Sequence, residues 1–388
     1  MKILLFSTFF LPAEKAGGVP FCTFCLARSL QSLGSEIAVI TSNRNGEGYL
    51  NVEPDQWMEY LGIPIVYCKV IPGHYLFAPR MSEIARDMAK HSDIIISSST
   101  LWNHAGWLAD RIAYQLKIPH IVYPHGILES WALQYKAFRK KVFWFLQGKR
   151  ILKRASYIIA LTEQEKNTIR DLGIHTPIEI IPNGVDPSDL SDTLTQEELV
   201  KIFPQLRGNR YLLFLGRIHK IKGIDLLLPA FEEVCNSLKD VILVMAGPVE
   251  KIYENEFSKL FAKYKTTGKI LLIGSVKDKA KNSLLRYASG FILTSYSEGL
   301  PIAVLEALSV GCPVIISHQC NLPGVKEANT GWVVSMNINE VKMAIYELFA
   351  NKREANLKGE NGKRLIQESF SWEIVGKHTM DILKSLNR

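Results

Sequence analysis

The chain has 388 residues, 47% of them hydrophobic, 22% charged and 10% aromatic, with a formal net charge of +8. That length exceeds what a single core ordinarily spans, so two domains are expected, in a globular protein with a large apolar interior. No window reaches 18 uninterrupted apolar residues, which excludes a membrane-spanning segment, and the basic balance points to anionic partners without naming them.

In chain order, KILLFST reads as a buried first strand rather than a signal peptide, because no small-residue cleavage site follows and Pro12 interrupts the run. Gly17 and Gly18 open a helix at 19–33. Glycines there let backbone amides approach a phosphate or sugar closely. Cys22 and Cys25 make a CxxC on this helix. No second CxxC or nearby histidine pair completes a metal set, so they read as buried thiols, and the cysteine usage suits a reducing, cytoplasmic setting. EIAVITS and DIIISSS are further strands, then a helix near 104–116, then PHIVYPHG. Residues 134–156 hold Lys136, Arg139, Lys140, Lys141, Lys149, Arg150, Lys153 and Arg154, interleaved with Phe138, Phe143, Trp144 and Phe145. Such a helix suits an anionic membrane surface, or is an ordinary amphipathic helix with its aromatics in the core.

ASYIIALT, a helix at 163–172 and IEIIPNGV complete the first half. The segment 186–199, rich in acids, Ser and Thr, reads as a linker. The alternation then restarts: YLLFLGR, a helix at 223–238, VILVMAG, a helix at 251–266, KILLIGS, a helix at 279–289, GFILTSY, a helix at 301–310 and PVIIS. Strands alternating with helices predict two doubly wound α/β units with parallel sheets, each binding ligands at the carboxyl ends of its strands, with a cleft between them as the natural site. The expected domains are 1–187 and 188–371, with the final helix, 372–388, packing back on the first.

The stretch SEGLPIAVLEALSVGCPVIIS (297–317) places Glu298 and Glu306 on either side of seven uncharged residues. Pro301 suits the first helical position, and Gly311 the position just past the helix end. The amides of Gly299, Leu300, Ile302 and Ala303 then face outward at a positive helix terminus, which is an anion site. A phosphate there, with a carboxylate on either side, suggests a ligand with hydroxyls at both ends, as in a nucleotide sugar. The plainer alternative is a capping acid at Glu298 and a surface acid at Glu306. Arg217 and Lys222, in FLGRIHKIKG, are expected to project from a strand end toward a leaving diphosphate.

This combination resembles the retaining glycosyltransferases with two Rossmann domains (GT-B), family 4. The family's E-x7-E element is matched by Glu298 and Glu306, its GR-x4-KG by Arg217 and Lys222, its glycine loop by Gly17 and Gly18, and its IPNGVD turn by 181–186. The stretch 101–133 is similar to the subgroup that builds O-antigen, capsule and exopolysaccharide repeats, through Pro124, His125, Gly126 and Trp131. The subgroup's histidine-containing stretch before LWN is replaced here by SSST at 97–100, so contacts from that strand end are not carried over. The resemblance implies that His125 lies near the donor sugar and that Val276 contacts the base. It further implies sugar transfer from a nucleoside-diphosphate sugar to a saccharide acceptor, lipid-linked, at the inner face of the cell membrane.

No D-x-D pair stands near a strand end, so no metal cofactor is expected. Arg217, Lys222 and the helix amides would neutralise the leaving group, while Glu298 positions the sugar and Glu306 holds the ribose. Two other classes stay open: an epimerase or phosphorylase of similar architecture, and a non-enzymatic basic protein binding lipid or nucleic acid through 134–156. Nucleic acid is not expected, because aromatic stacking motifs for RNA are absent.

Overall fold

A computed structural model describes residues 1–73, 75–129, 141–250, 253–264 and 268–386. The chain divides into two compact units, Met1–Gly184 with Trp372–Arg388, and Val185–Ser371.

In the first unit, strands β1 (Lys2–Ser7), β2 (Glu36–Ser42), β5 (Trp57–Tyr60), β6 (Ile63–Cys68), β7 (Ile94–Ser98), β8 (His120–Tyr123), β9 (Tyr157–Ala160) and β10 (Ile178–Ile180) form one sheet; β3 (Arg44–Asn45) and β4 (Gly48–Tyr49) pair separately. The sheet order is β10-β9-β8-β7-β1-β2-β6-β5. Ile3 to Ser7 are all buried, which is why β1 reads as a continuous apolar run: helices cover both faces of a parallel sheet. Each fully buried aliphatic side chain there contributes about 1.5–3 kcal/mol. The edge strand β5 departs from the expected parallel pattern. It runs antiparallel to β6, joined at Leu61 and Gly62, both with positive φ, in the two-residue turn that matches strand twist. The helix beginning at Trp372 packs on the Val19–Ser32 helix, where Ser29 Oγ donates to the Trp372 carbonyl at 2.7 Å. A Cβ at Gly376 would overlap Ser29, so glycine sets that close approach.

The second unit is built on β11 (Arg210–Leu215), β12 (Val241–Ala246), β13 (Ile270–Gly274), β14 (Gly290–Leu293), β15 (Val314–Ser317) and β16 (Gly331–Val334), in the order β13-β12-β11-β14-β15-β16, all parallel. The linker expected at 186–199 is instead ordered. Asp186 caps a turn at Pro187–Leu190, and Thr195 forms a capping box with Glu198 to start the helix Gln196–Ile202. The acids and hydroxyls that looked like linker composition are helix-terminus acceptors, and Asn282 Nδ2 fastens the segment by donating to the carbonyls of Asp189 and Asp192. Both sheets reverse strand order once, between β1 and β7 and between β11 and β14. In doubly wound sheets ligands bind outside the carboxyl ends of the strands at that reversal.

Candidate active site

At the second unit's reversal, the loop after β11 is pressed against the end of β14. Gly223 sits at φ +65, and a Cβ there would overlap the Thr294 carbonyl. Tyr296 N–H donates to the Ile221 carbonyl at 2.7 Å, and Thr294 Oγ1 to the Gly223 carbonyl at 3.0 Å. These bonds bring Lys222 to Glu298: Nζ lies 2.5 Å from Oε1, which also accepts from Ser295 Oγ at 2.5 Å. The two side chains are only 17% and 13% exposed, so removing either charge would leave its partner largely desolvated without its counter-ion. Glu298 is fixed from a third strand end as well, its carbonyl accepting from Asn321 Nδ2 at 2.7 Å.

The neighbouring helix spans Ile302–Ser309, and Pro301 is its N-cap rather than its first residue. Pro301 is extended, at ψ 107°, and its carbonyl accepts the first helical bonds from Val304 and Leu305. Among the described residues none accepts from the N–H groups of Gly299, Leu300, Ile302 or Ala303. These four unengaged donors, directly after Glu298 in the chain and at the start of the helix, carry its positive partial charge. Glu306, one turn further on, pairs with Lys281 at 2.7 Å. Neither acid stands unpaired. Each has a lysine, one 76 and the other 25 residues away along the chain.

Arg217 has a partner that the sequence did not indicate. Its guanidinium pairs with Glu250, just past β12, and its side chain is 57% exposed. His219 stands beside the same acid, Nε2 3.6 Å from it, while its Nδ1 accepts from Ile221 N–H at 2.9 Å. Burial, with help from Arg217 and Lys222, holds the His219 pKa below its usual value. Val276 follows β13 and is half-buried.

At the first unit's reversal the chemistry is neutral. Gly17 takes φ +85 and Gly18 caps the Val19–Ser32 helix; nothing lies within 4 Å of a Cβ at Gly17, so its need is conformational. His125, at φ +58, places Nε2 2.9 Å from Ser98 Oγ, which is 2.7 Å from Thr23 Oγ1 on that helix. Its Nδ1 is buried without a partner among the described residues, and burial pulls the imidazole pKa down to about 4. The ring is neutral at physiological pH. Trp131 and the basic and aromatic residues from 134 to 140 lie outside the described residues; further along, Phe145 and Leu146 are each 67% exposed beside Lys141 and Lys149. Cys22 and Cys25 are both buried on the first helix. No described helix is long and apolar enough to cross a membrane.

Sequence reasoning missed Ser295, Lys281, Glu250 and His219. Lys281 and Glu250 come from separate elements, with no spacing to betray them. His219 stood inside a motif already singled out, but only the fold gives it an acid.

Residues 16–189 match the family described as Glycosyltransferase Family 4, and residues 195–365 the family Glycosyl transferases group 1. An uncharacterized glycosyltransferase of Methanocaldococcus jannaschii is 26% identical over 305 residues, 76% of this chain and 75% of that protein. Mannosylfructose-phosphate synthase of Agrobacterium fabrum is 26% identical over 338 residues, 79% of this chain and 72% of that one. Among solved structures, Anabaena HepE in complex with UDP superposes with a TM-score of 0.78 at 17% identity, covering 99% of this chain and 100% of that one. Its UDP-glucose complex gives 0.77 at 16% identity, with the same coverage. The two family matches, one on each Rossmann-like unit, and the agreement in fold lead to one conclusion: the chain is a glycosyltransferase of the GT-B type, belonging to family 4, group 1.

Proposed function

We propose that the protein is a retaining glycosyltransferase that moves a sugar from a nucleoside-diphosphate sugar to a saccharide acceptor, lipid-linked, in cell-surface polysaccharide synthesis on the cytoplasmic face of the membrane. One observation carries the reading: Lys222, Glu298 and the unengaged amides of the Ile302–Ser309 helix meet at the second unit's strand reversal. A diphosphate supplies the acceptors that these amides lack and a second anionic partner for the Lys222 ammonium, now paired with Glu298. The UDP and UDP-glucose bound to HepE support the donor class.

In this reading the donor's C1–O bond breaks toward the nucleotide, and Lys222 with the helix amides takes up the charge that develops on the departing β-phosphate. No metal is needed for that task. The departing phosphate oxygen accepts the proton of the incoming acceptor hydroxyl, whose oxygen bonds C1 on the same face. Glu298 holds hydroxyls of the transferred sugar, Glu306 the ribose, and Val276 the base. His125, neutral, orients the sugar. Arg217 swings from Glu250 to the diphosphate when donor binds. Exposed Phe145 and Leu146 beside lysines support a peripheral contact with anionic lipid.

The test is product analysis with UDP-glucose, UDP-N-acetylglucosamine and GDP-mannose, with and without lipid-linked saccharide. Acceptor-dependent release of nucleoside diphosphate and a product of unchanged anomeric configuration are expected. Acceptor-independent conversion of the donor sugar would favour an epimerase, and an inverted anomer would end the retaining mechanism.

A further inference from the structure

The turn carrying His125 is held by a carboxylate from a different element. Glu165 lies in the first turn of the helix Glu163–Asp171, where an acid ordinarily faces water and simply complements the helix dipole. Here it is 0% exposed. The capping role is already filled: Thr162 Oγ1 accepts from Glu165 N–H at 3.1 Å. The carboxylate does something else. Oε1 accepts from Gly126 N–H at 2.6 Å, and Oε2 from Leu161 N–H at 2.8 Å.

Gly126 follows His125, and the two stand in the left-handed region in succession, at φ +72 and +58. A histidine there is strained and stays only if its surroundings impose it. The turn is closed by Glu129 N–H donating to the Gly126 carbonyl at 3.1 Å, and Glu129 is itself buried, with Oε1 unpartnered among the described residues. Burial chiefly, with the Glu129 carboxylate adding to it, pushes the Glu165 pKa up to about 7. An arrangement that costs stability at that point, yet fixes the orientation of one imidazole, has a use in placing that imidazole.

We propose that Glu165 is a positioning residue for the transfer reaction. By clamping Gly126 N–H it holds the turn that carries His125 and keeps the ring's Nε2 on Ser98 Oγ. This rests on the reading of His125 as a sugar-orienting group.

The experiment is a double-mutant cycle of Glu165→Gln and His125→Ala, using whichever of UDP-glucose, UDP-N-acetylglucosamine and GDP-mannose the wild type consumes fastest. Glu165→Gln should lower kcat about 10-fold with donor KM nearly unchanged, the scale of a displaced catalytic group. It should cost almost nothing more in the His125→Ala background, because two residues acting through one contact are not additive. An undiminished Glu165→Gln effect in that background overturns the positioning role while leaving His125 in place. Wild-type kcat in His125→Ala alone overturns the reading of His125 and the inference with it. Glu165→Asp, which keeps the charge but withdraws the oxygens, serves if the Gln protein does not fold. Independently of any donor, amide exchange over 124–129 should accelerate at least about 10-fold in Glu165→Asp, whose shorter side chain withdraws both oxygens, since a lost clamp lowers local opening free energy; unchanged exchange overturns the clamp.

Discussion

The two units share a topology and differ in what they place at its turning point. Each reverses strand order beside its first strand, and each presses the loop after that strand against the one after the neighbour. In the first unit the groups brought together are Thr23, Ser98 and a neutral His125. In the second they are Lys222, Glu298 and four unengaged amides, with Glu306 and Lys281 one turn away. In the proposed reading, topology sets where a ligand goes, and side-chain charge sets which ligand. Hydroxyls and a neutral imidazole suit a polyol. An ammonium with oriented amides suits a diphosphate.

The contrast breaks hardest at Lys222. Lys222→Ala should reduce kcat by about 100-fold or more, the scale of a lost transition-state donor, and steady-state kinetics would show it. Gly223→Ala should be nearly as damaging by another route. The added methyl meets the Thr294 carbonyl and the residue is left-handed, so the loops must part. A loss of about 2 kcal/mol or more in urea unfolding is expected for such a strained substitution. Glu306→Ala should be milder, raising donor KM about 10-fold with kcat within a factor of three, as uniform binding predicts; an equal fall in kcat would place Glu306 in the transition state.

The smallest effect sharpens the neutral side. Burial depresses the His120 and His125 pKa values to about 4, so their stabilising contribution is present above the ordinary histidine value and is lost as pH falls toward 4. Glu165 is raised to about 7, so its contribution is present at low pH and is lost as pH rises toward 7. The two act in opposition between pH 4.5 and 6.5. Replacing Glu165 by Gln should therefore steepen the acid-side fall in stability, by about 1.4 kcal/mol per pH unit in that window. Parallel slopes for the two proteins would place Glu165 outside the buried set.

Much of this was legible because parallel strands covered on both faces are unbroken apolar runs: VILVMA is buried at all six positions. The edge strand β5 was not, since Trp57, Met58 and Glu59 are exposed and carry no core signal. TLTQEEL shows the converse failure. Its capping box was visible in the spacing of Thr195 and Glu198, but its polarity was read as linker. The paired glutamates stood out by spacing within one helix and its approach. Their lysines, Glu250 and the Glu165 clamp on Gly126 join distant elements, and no periodicity reports such a meeting.

The claim on which the rest depends is that the Lys222 cluster grips a diphosphate. Isothermal titration of UDP, GDP and the corresponding nucleosides into wild type and Lys222→Ala measures this directly. The account predicts that the variant binds the preferred diphosphate at least about 10-fold more weakly, the range of a charge-assisted bond, while its affinity for the nucleoside is unchanged. Equal diphosphate affinity in the two proteins would contradict it.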